Sequence, residues 1–343
     1  MKIALLGLPQ TGKKTLFTLL TGRQIPHGRK PLEALEGMAL IRDPRVDRLN
    51  ELYQPERKVY AENHFVLCPD VAEGSENREW LDAARRCDLL CLVVRAFASD
   101  QIYHPAGSVD AARDRTRIEN ELLLADMERV DKRLERIDKE KRAGLTAEQQ
   151  REEKTLRKCM GSMESGRRLR DMELDAQEQS ALRSLELVTG LPQLLTYNVS
   201  ESDLSSAFGP NTLTVSAQIE QEIMAMGDET ERRDYLASVG LTASGVDRMN
   251  AAAYAALGLM SFYTVGKDEV RAWTIRKGSK APKAGGKVHS DIERGFIRVE
   301  IMKYDELLAA GSEAALKNAG RVQLKGADYT IEDGDICHFL FNV

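Results

Sequence analysis

The first fifteen residues, MKIALLGLPQTGKKT, constrain this chain more than any other stretch. Ile3 to Leu6 is a short apolar run of the kind that forms a strand buried on both faces. Gly7 to Lys13 fill the spacing G-x-x-x-x-G-K, and Leu16, Phe17, Leu19 and Leu20 follow at helical intervals. Strand, glycine-bounded loop, lysine and helix together specify a phosphate-binding loop. Successive backbone N–H groups curl round an anion, and the helix N-terminus adds the positive end of its dipole. The candidate phosphate-binding residues are Gly7, Gln10, Thr11, Gly12, Lys13, Lys14 and Thr15. Lys13 would reach the outer phosphates and Thr15 would lie at the α-phosphate. The motif wants Ser or Thr after the lysine, to hold Mg²⁺ through its hydroxyl, and this chain has Lys14. A one-residue slip that made Lys14 the phosphate lysine would break the Gly-Lys adjacency. Phosphate binding is expected, while the usual magnesium chemistry lacks its first hydroxyl ligand.

The 343 residues suggest two or three domains. A hydrophobic share of 42% is enough for their cores, and 30% charged residues favour solubility. The net charge of -5 excludes a global polyanion binder and leaves room for a local basic patch. Five cysteines, at 68, 87, 91, 159 and 337, show no paired spacing and are expected as buried, reduced thiols. Met1 leads directly into the first strand, and no apolar run is long enough to span a bilayer. The expected compartment is cytoplasmic, with neither membrane nor DNA as partner.

After the first helix, Gly22 to Gly37 reads as a polar loop, and Asp43 to Gln54 as a helix. Phe65 to Leu67 is a second strand delivering Asp70, a candidate for holding Mg²⁺ through water, as in phosphate-loop nucleotidases. Residues 76 to 86 look helical, and Leu89 to Val94 is another buried strand. From Asp110 to about Ser165 the composition changes. Leu123, Met127, Val130, Leu134 and Ile137 repeat at spacings of 4, 3, 4 and 3 among charged residues, which is a coiled-coil seam. A turn at Arg142-Ala143-Gly144 and a capping box at Thr146 and Gln149 predict an antiparallel return helix. The α/β pattern resumes with strands ending at Asn198-Val199-Ser200-Glu201 and at Ser216-Ala217. Such strand ends are where open α/β sheets place ligands. N-x-x-D followed by S-A would suit guanine, and Glu201 in the fourth position changes that fit. The candidate base-binding residues are Asn198, Val199, Glu201, Ser216 and Ala217. From about Leu259 the alternation is strand-like, and Lys277 to Lys287 reads as a basic, glycine-rich loop able to meet RNA phosphates or simply be solvated.

Several stretches carry a family resemblance: GLP and GK.TLF in 7–17, DPRVD at 43–47, VVRAF at 93–97, GSVD at 107–110 and ENELLLADMERVDKRLER at 119–136. Further on come NVSE at 198–201, VSAQIEQEI at 215–223, VGKDEVRAWTIRKGSKAPKAGGKVHSDIERGFIRVE at 265–300 and DYTIEDGDICHFLFNV at the end. The chain resembles the Obg-like ATPases of the YchF branch over essentially its whole length. The resemblance implies an α/β phosphate-loop nucleotidase domain with a mostly parallel sheet, over residues 1–109 and 170–257. It implies an inserted antiparallel helical arm over 110–169 and a small β-grasp-like TGS domain over 258–343. It also implies ATP in preference to GTP, association with the ribosome, and a catalytic role for a loop histidine, matched here by His104.

The departures from that family lie in the chemistry. The metal-binding serine is Lys14, the switch threonine falls at Pro31, and the D-x-x-G segment reads Asp70-Val71-Ala72-Glu73. The stretch between Glu201 and Val215 is too short for the helix expected there. Three readings follow: an ATP-binding, ribosome-associated protein with weak or absent hydrolysis; a competent ATPase using Asp70 and His104; and an interaction module that no longer uses nucleotide.

Overall fold

The computed structural model describes residues 1–342 except 73, 75–77, 207, 210 and 211. In chain order the first elements are β1 (Lys2–Leu6), α1 (Lys13–Thr21), β2 (Leu35–Ile41), α2 (Pro44–Tyr53), β3 (Arg57–Val59), β4 (Ala61–Leu67), α3 (Asp82–Arg85) and β5 (Leu89–Ala96). The middle of the chain holds α4 (Ala111–Glu140), α5 (Ala147–Glu164), α6 (Ala176–Leu182), β6 (Gln193–Val199), β7 (Thr212–Val215), α7 (Ala217–Ala225), α8 (Glu229–Ser238) and α9 (Gly245–Ala256). The last part holds β8 (Leu259–Val265), β9 (Glu269–Arg276), α10 (Ala281–Val288), α11 (Ser290–Arg294), β10 (Phe296–Lys303), α12 (Tyr304–Ala310), α13 (Glu313–Asn318), β11 (Gln323–Lys325) and β12 (Asp335–Phe341). These elements form two compact units, residues 1–38 with 64–249 and residues 39–63 with 250–343.

The first unit is built on a sheet ordered β2-β4-β1-β5-β6-β7, in which β4, β1, β5, β6 and β7 pair in parallel. Ile3, Ala4, Leu5 and Leu6 are all inaccessible, as a central parallel strand covered on both faces requires. Alternate residues Ala4, Leu6, Leu90, Leu92 and Val94 meet Ile118, Leu122 and Ala125 of α4 in one core. The arm follows the heptad reading. Val130, Leu134 and Ile137 of α4 pack with Leu156, Cys159 and Met163 of α5, flanked by Leu123 and Met127. The capping box of Thr146 and Gln149 is present. The arm is fastened at its base by Asp126, which is inaccessible. Its carboxylate accepts from the backbone N–H of Val188 (3.0 Å) and Thr189 (2.7 Å), from the Thr189 hydroxyl (2.7 Å) and from Arg85 (3.3 Å).

The second unit has a sheet ordered β11-β10-β12-β8-β9-β3. Residues 39–63, read from the sequence as part of the nucleotide domain, belong here. β3 pairs in parallel with β9, Arg57 opposite Glu269, a contact no local pattern announces. The DPRVD motif works in this unit. Asp43 caps α2 through the Arg45 N–H, accepts the Tyr263 hydroxyl, and pairs with the Arg45 guanidinium, which also reaches Asp333 at 2.7 Å. The expected loop at 277–287 is corrected: residues from Ala281 form helix α10. Gly285 serves close packing there, since a Cβ would lie 2.5 Å from Ile292 Cγ2 and 3.3 Å from the Phe339 ring.

Three further readings change. The polar segment after α1 ends in strand β2. Residues 79–81 form a 3₁₀ turn leading into the short α3, and Glu73 and residues 75–77 lie outside the described residues. All five cysteines are free and buried, as expected. Among the described residues no helix is long and apolar enough to cross a membrane.

Candidate phosphate-binding site

The loop between β1 and α1 turns sharply. Gln10 has φ 63° and Gly12 has φ 86°, both left-handed. Gln10 is held in a conformation that L-residues adopt at a cost, a feature that clusters at ligand loops. Gly12 has a second reason to be glycine, because a Cβ there would collide with Asn198 Nδ2. Asn198, buried at the end of β6, ties two loops together. Its Nδ2 donates to Thr11 O (3.0 Å), and its Oδ1 accepts from Ala217 N (3.0 Å). The residue read as a base contact therefore also fixes the phosphate loop against the N-terminus of α7.

Lys13 is almost fully buried, with its ammonium turned back over the loop. It donates to Gly7 O (3.0 Å) and Pro69 O (2.9 Å), and it pairs with Asp70 Oδ1 at 2.6 Å. Burial pushes the Lys13 ammonium below the usual lysine range, and the Asp70 carboxylate opposes that shift. The Thr11 hydroxyl is buried within the loop and has no hydrogen-bond partner. An orphaned hydroxyl beside a buried cation suits an anionic group bearing several acceptors. The donor set therefore fits phosphate.

It does not fit Mg²⁺ in the ordinary way. Magnesium takes oxygen ligands, and the two expected hydroxyl positions are Lys14 and Pro31, both exposed. Asp70 offers a carboxylate, but that group is engaged by Lys13. Among the described residues no cluster of His, Cys, Asp or Glu could hold a metal ion. Thr15 is half-buried one turn into α1. Of the base candidates, Val199, Ser216 and Ala217 are buried, and Glu201 is exposed at the start of a 3₁₀ turn over Glu201–Asp203.

His104 is brought next to this loop. A cleft of about 320 Å³ is lined by Leu8 and Pro9 of the phosphate loop, by Val71 and Ala72, and by His104, Pro105 and Arg117. The ring is buried. Its Nδ1 accepts from Ala106 N (3.1 Å) and its Nε2 lies 2.8 Å from Asp114 Oδ2. Asp114 and Arg95 are functional candidates that the sequence reading missed. Arg95, buried at the end of β5, donates to the carbonyls of Phe97 (3.2 Å), Ile102 (3.0 Å) and Tyr103 (3.4 Å) and so holds the histidine loop in place.

The chain has relatives among known proteins. Residues 259–342 match a family model for the C-terminal part of YchF-type GTPases, described as a protein of unknown function (DUF933). The ribosome-binding ATPase YchF of Bacillus subtilis is 37% identical over 366 residues, covering 99% of this chain and 98% of that protein. Its counterpart from Escherichia coli O157:H7 is 33% identical over 362 residues, covering 100% and 99%. The structure of the Schizosaccharomyces pombe YchF GTPase matches with a TM-score of 0.83 at 30% identity, covering 99% of this chain and 97% of that one. The chain belongs to the YchF family.

Proposed function

We propose that this chain is an ATP-binding, Obg-like protein that acts at the ribosome in the cytoplasm and hydrolyses nucleotide weakly or not at all. The observation that carries nucleotide binding is Lys13, a buried ammonium in a strained loop beside the unpartnered Thr11 hydroxyl. Gly7, Gln10, Gly12 and Thr15 complete the phosphate cradle, and Asn198, Val199, Glu201, Ser216 and Ala217 form the base site. Glu201 reaches further than the aspartate that pairs with guanine, which supports adenine. The ribosome enters through the names of the bacterial relatives.

Slow turnover follows from the missing metal ligands. Mg²⁺ supplies charge stabilisation at the β- and γ-phosphates when bound. In this chain the Lys14 ammonium, one residue beyond Lys13, supplies positive charge in its place. Titration of ATP and GTP with and without Mg²⁺ tests nucleotide choice and metal dependence together. Co-sedimentation with ribosomes, with and without ATP, tests the partner.

A second reading, a competent ATPase using His104, is favoured by the position of that ring in the cleft beside Leu8 and Pro9. Single-turnover hydrolysis by the wild type and by His104→Ala separates the two readings, since equal near-background rates remove the second.

A further inference from the structure

We propose that Asp114 is a positioning residue that latches His104 in a resting state unable to act on nucleotide. The hydrogen bonds fix the state of the ring. Because Nδ1 accepts the Ala106 N–H at 3.1 Å, the ring proton sits on Nε2, which donates to Asp114 Oδ2 at 2.8 Å. Both nitrogens are occupied, so the imidazole can neither accept a proton from water nor orient it. Solvent has little access to the pair, because His104 and Asp114 are 7% and 1% exposed.

The latch is itself held. Asp114 Oδ1 accepts from Arg113 Nε at 3.0 Å and from Arg113 Nη2 at 2.9 Å, which fixes the carboxylate in the first turn of α4. On the other side of the loop, Arg95 grips the carbonyls of Phe97, Ile102 and Tyr103. The ring thus forms part of the cleft wall beside Leu8 and Pro9 while its own chemistry is tied up. Releasing Nε2 is the smallest change that gives His104 a free N–H there, able to orient a water by donating to its oxygen. The backbone bond at Nδ1 keeps the proton on the nitrogen that Asp114 holds.

This proposal rests on the reading that nucleotide occupies the neighbouring loop and that His104 serves its hydrolysis. The test uses the full chain as wild type, Asp114→Ala, Asp114→Asn, His104→Ala and the double variant His104→Ala with Asp114→Ala. Single-turnover ATP hydrolysis is measured on each, together with the ¹⁵N spectrum of the histidine rings. The Ala106 N–H keeps the His104 ring as the Nε2–H tautomer in both proteins, and the Nε2 proton is expected to exchange slowly in the wild type and fast in Asp114→Ala. Hydrolysis is expected to rise about tenfold in Asp114→Ala, the scale of one lost charge-assisted hydrogen bond. It should rise less in Asp114→Asn, which keeps an acceptor, and fall to the His104→Ala rate in the double variant. A purely structural role for Asp114 would lower the melting temperature without raising hydrolysis. An Nε2 proton that exchanges as slowly in Asp114→Ala as in the wild type overturns the latch, as does hydrolysis that falls there while His104→Ala is also impaired. Hydrolysis unchanged in His104→Ala overturns the catalytic reading instead, and with it the control that the latch would exert.

Discussion

The Lys13 ammonium stands 2.6 Å from the Asp70 carboxylate, one group nearly inaccessible and the other more than a third exposed. In phosphate-loop nucleotidases a lysine at the first kind of position meets phosphate and an aspartate at the second kind holds the metal. Here they meet each other. A triphosphate entering the loop must take Lys13 from Asp70, and the strength of that pairing sets the cost of binding.

Lys13→Ala should weaken ATP binding by about 10- to 100-fold, the equivalent of one or two charge-assisted hydrogen bonds to phosphate. Isothermal titration measures it directly. The wild type should be stabilised by saturating ATP by about 2.7 kcal/mol at a hundred times Kd, and the variant by only about 0.4–1.4 kcal/mol at the same concentration.

Asp70→Asn removes the competitor for Lys13 while keeping the shape of the side chain. Metal-free ATP affinity should rise a few-fold, and any gain from added Mg²⁺ should shrink. Titration of wild type and variant in chelator, then in Mg²⁺, checks both signs.

Gly12→Ala should destabilise the first unit by at least about 1–2 kcal/mol from the left-handed backbone alone. The collision with Asn198 Nδ2 adds to this. Asn198 cannot turn aside without losing its bonds to Thr11 and Ala217. Chemical denaturation without nucleotide is the measurement, and ATP binding should be lost with it.

Asp43 gives the second unit a pH dependence. Burial pushes its carboxyl up, but hydrogen bonds from Arg45 and Tyr263 outweigh burial and hold it below its ordinary value. A carboxyl depressed in the folded state contributes stability that is fully present above its unfolded pKa, near 3.9, and is lost as pH falls through the lower folded value. Asp43→Asn should therefore cost about 1–3 kcal/mol at pH 7. The difference from wild type should narrow below about pH 4, as followed by urea denaturation across pH.

Much of this architecture is local and could be read from the sequence. The phosphate loop, the heptad seam from Leu123 to Ile137 and the Thr146 capping box each occupy a few consecutive turns, so spacing alone encodes them. What escaped depends on partners far along the chain. Residues 39–63 pack with the C-terminal unit because Arg57 to Val59 pair with Glu269 to Arg271, about two hundred residues away. The stretch Lys277 to Lys287 reads as a loop because glycines usually break helices, yet Gly285 is there for the closeness of Ile292 and Phe339. The latch on His104 was hidden for a similar reason. An aspartate in the first turn of a helix reads as a partner of the helix dipole, and only the folded loop brings His104 against it.

The central claim is that a triphosphate is held by the amides of this loop and by Lys13, with Lys14 in place of the usual metal. The most direct test is calorimetric titration of ATP into the full chain, once with Mg²⁺ and once with chelator. Affinities agreeing within about threefold are the expected result, whereas a gain of about a hundredfold or more with the metal would contradict the role given to Lys14. No detectable heat at millimolar ATP in either condition would contradict the site itself.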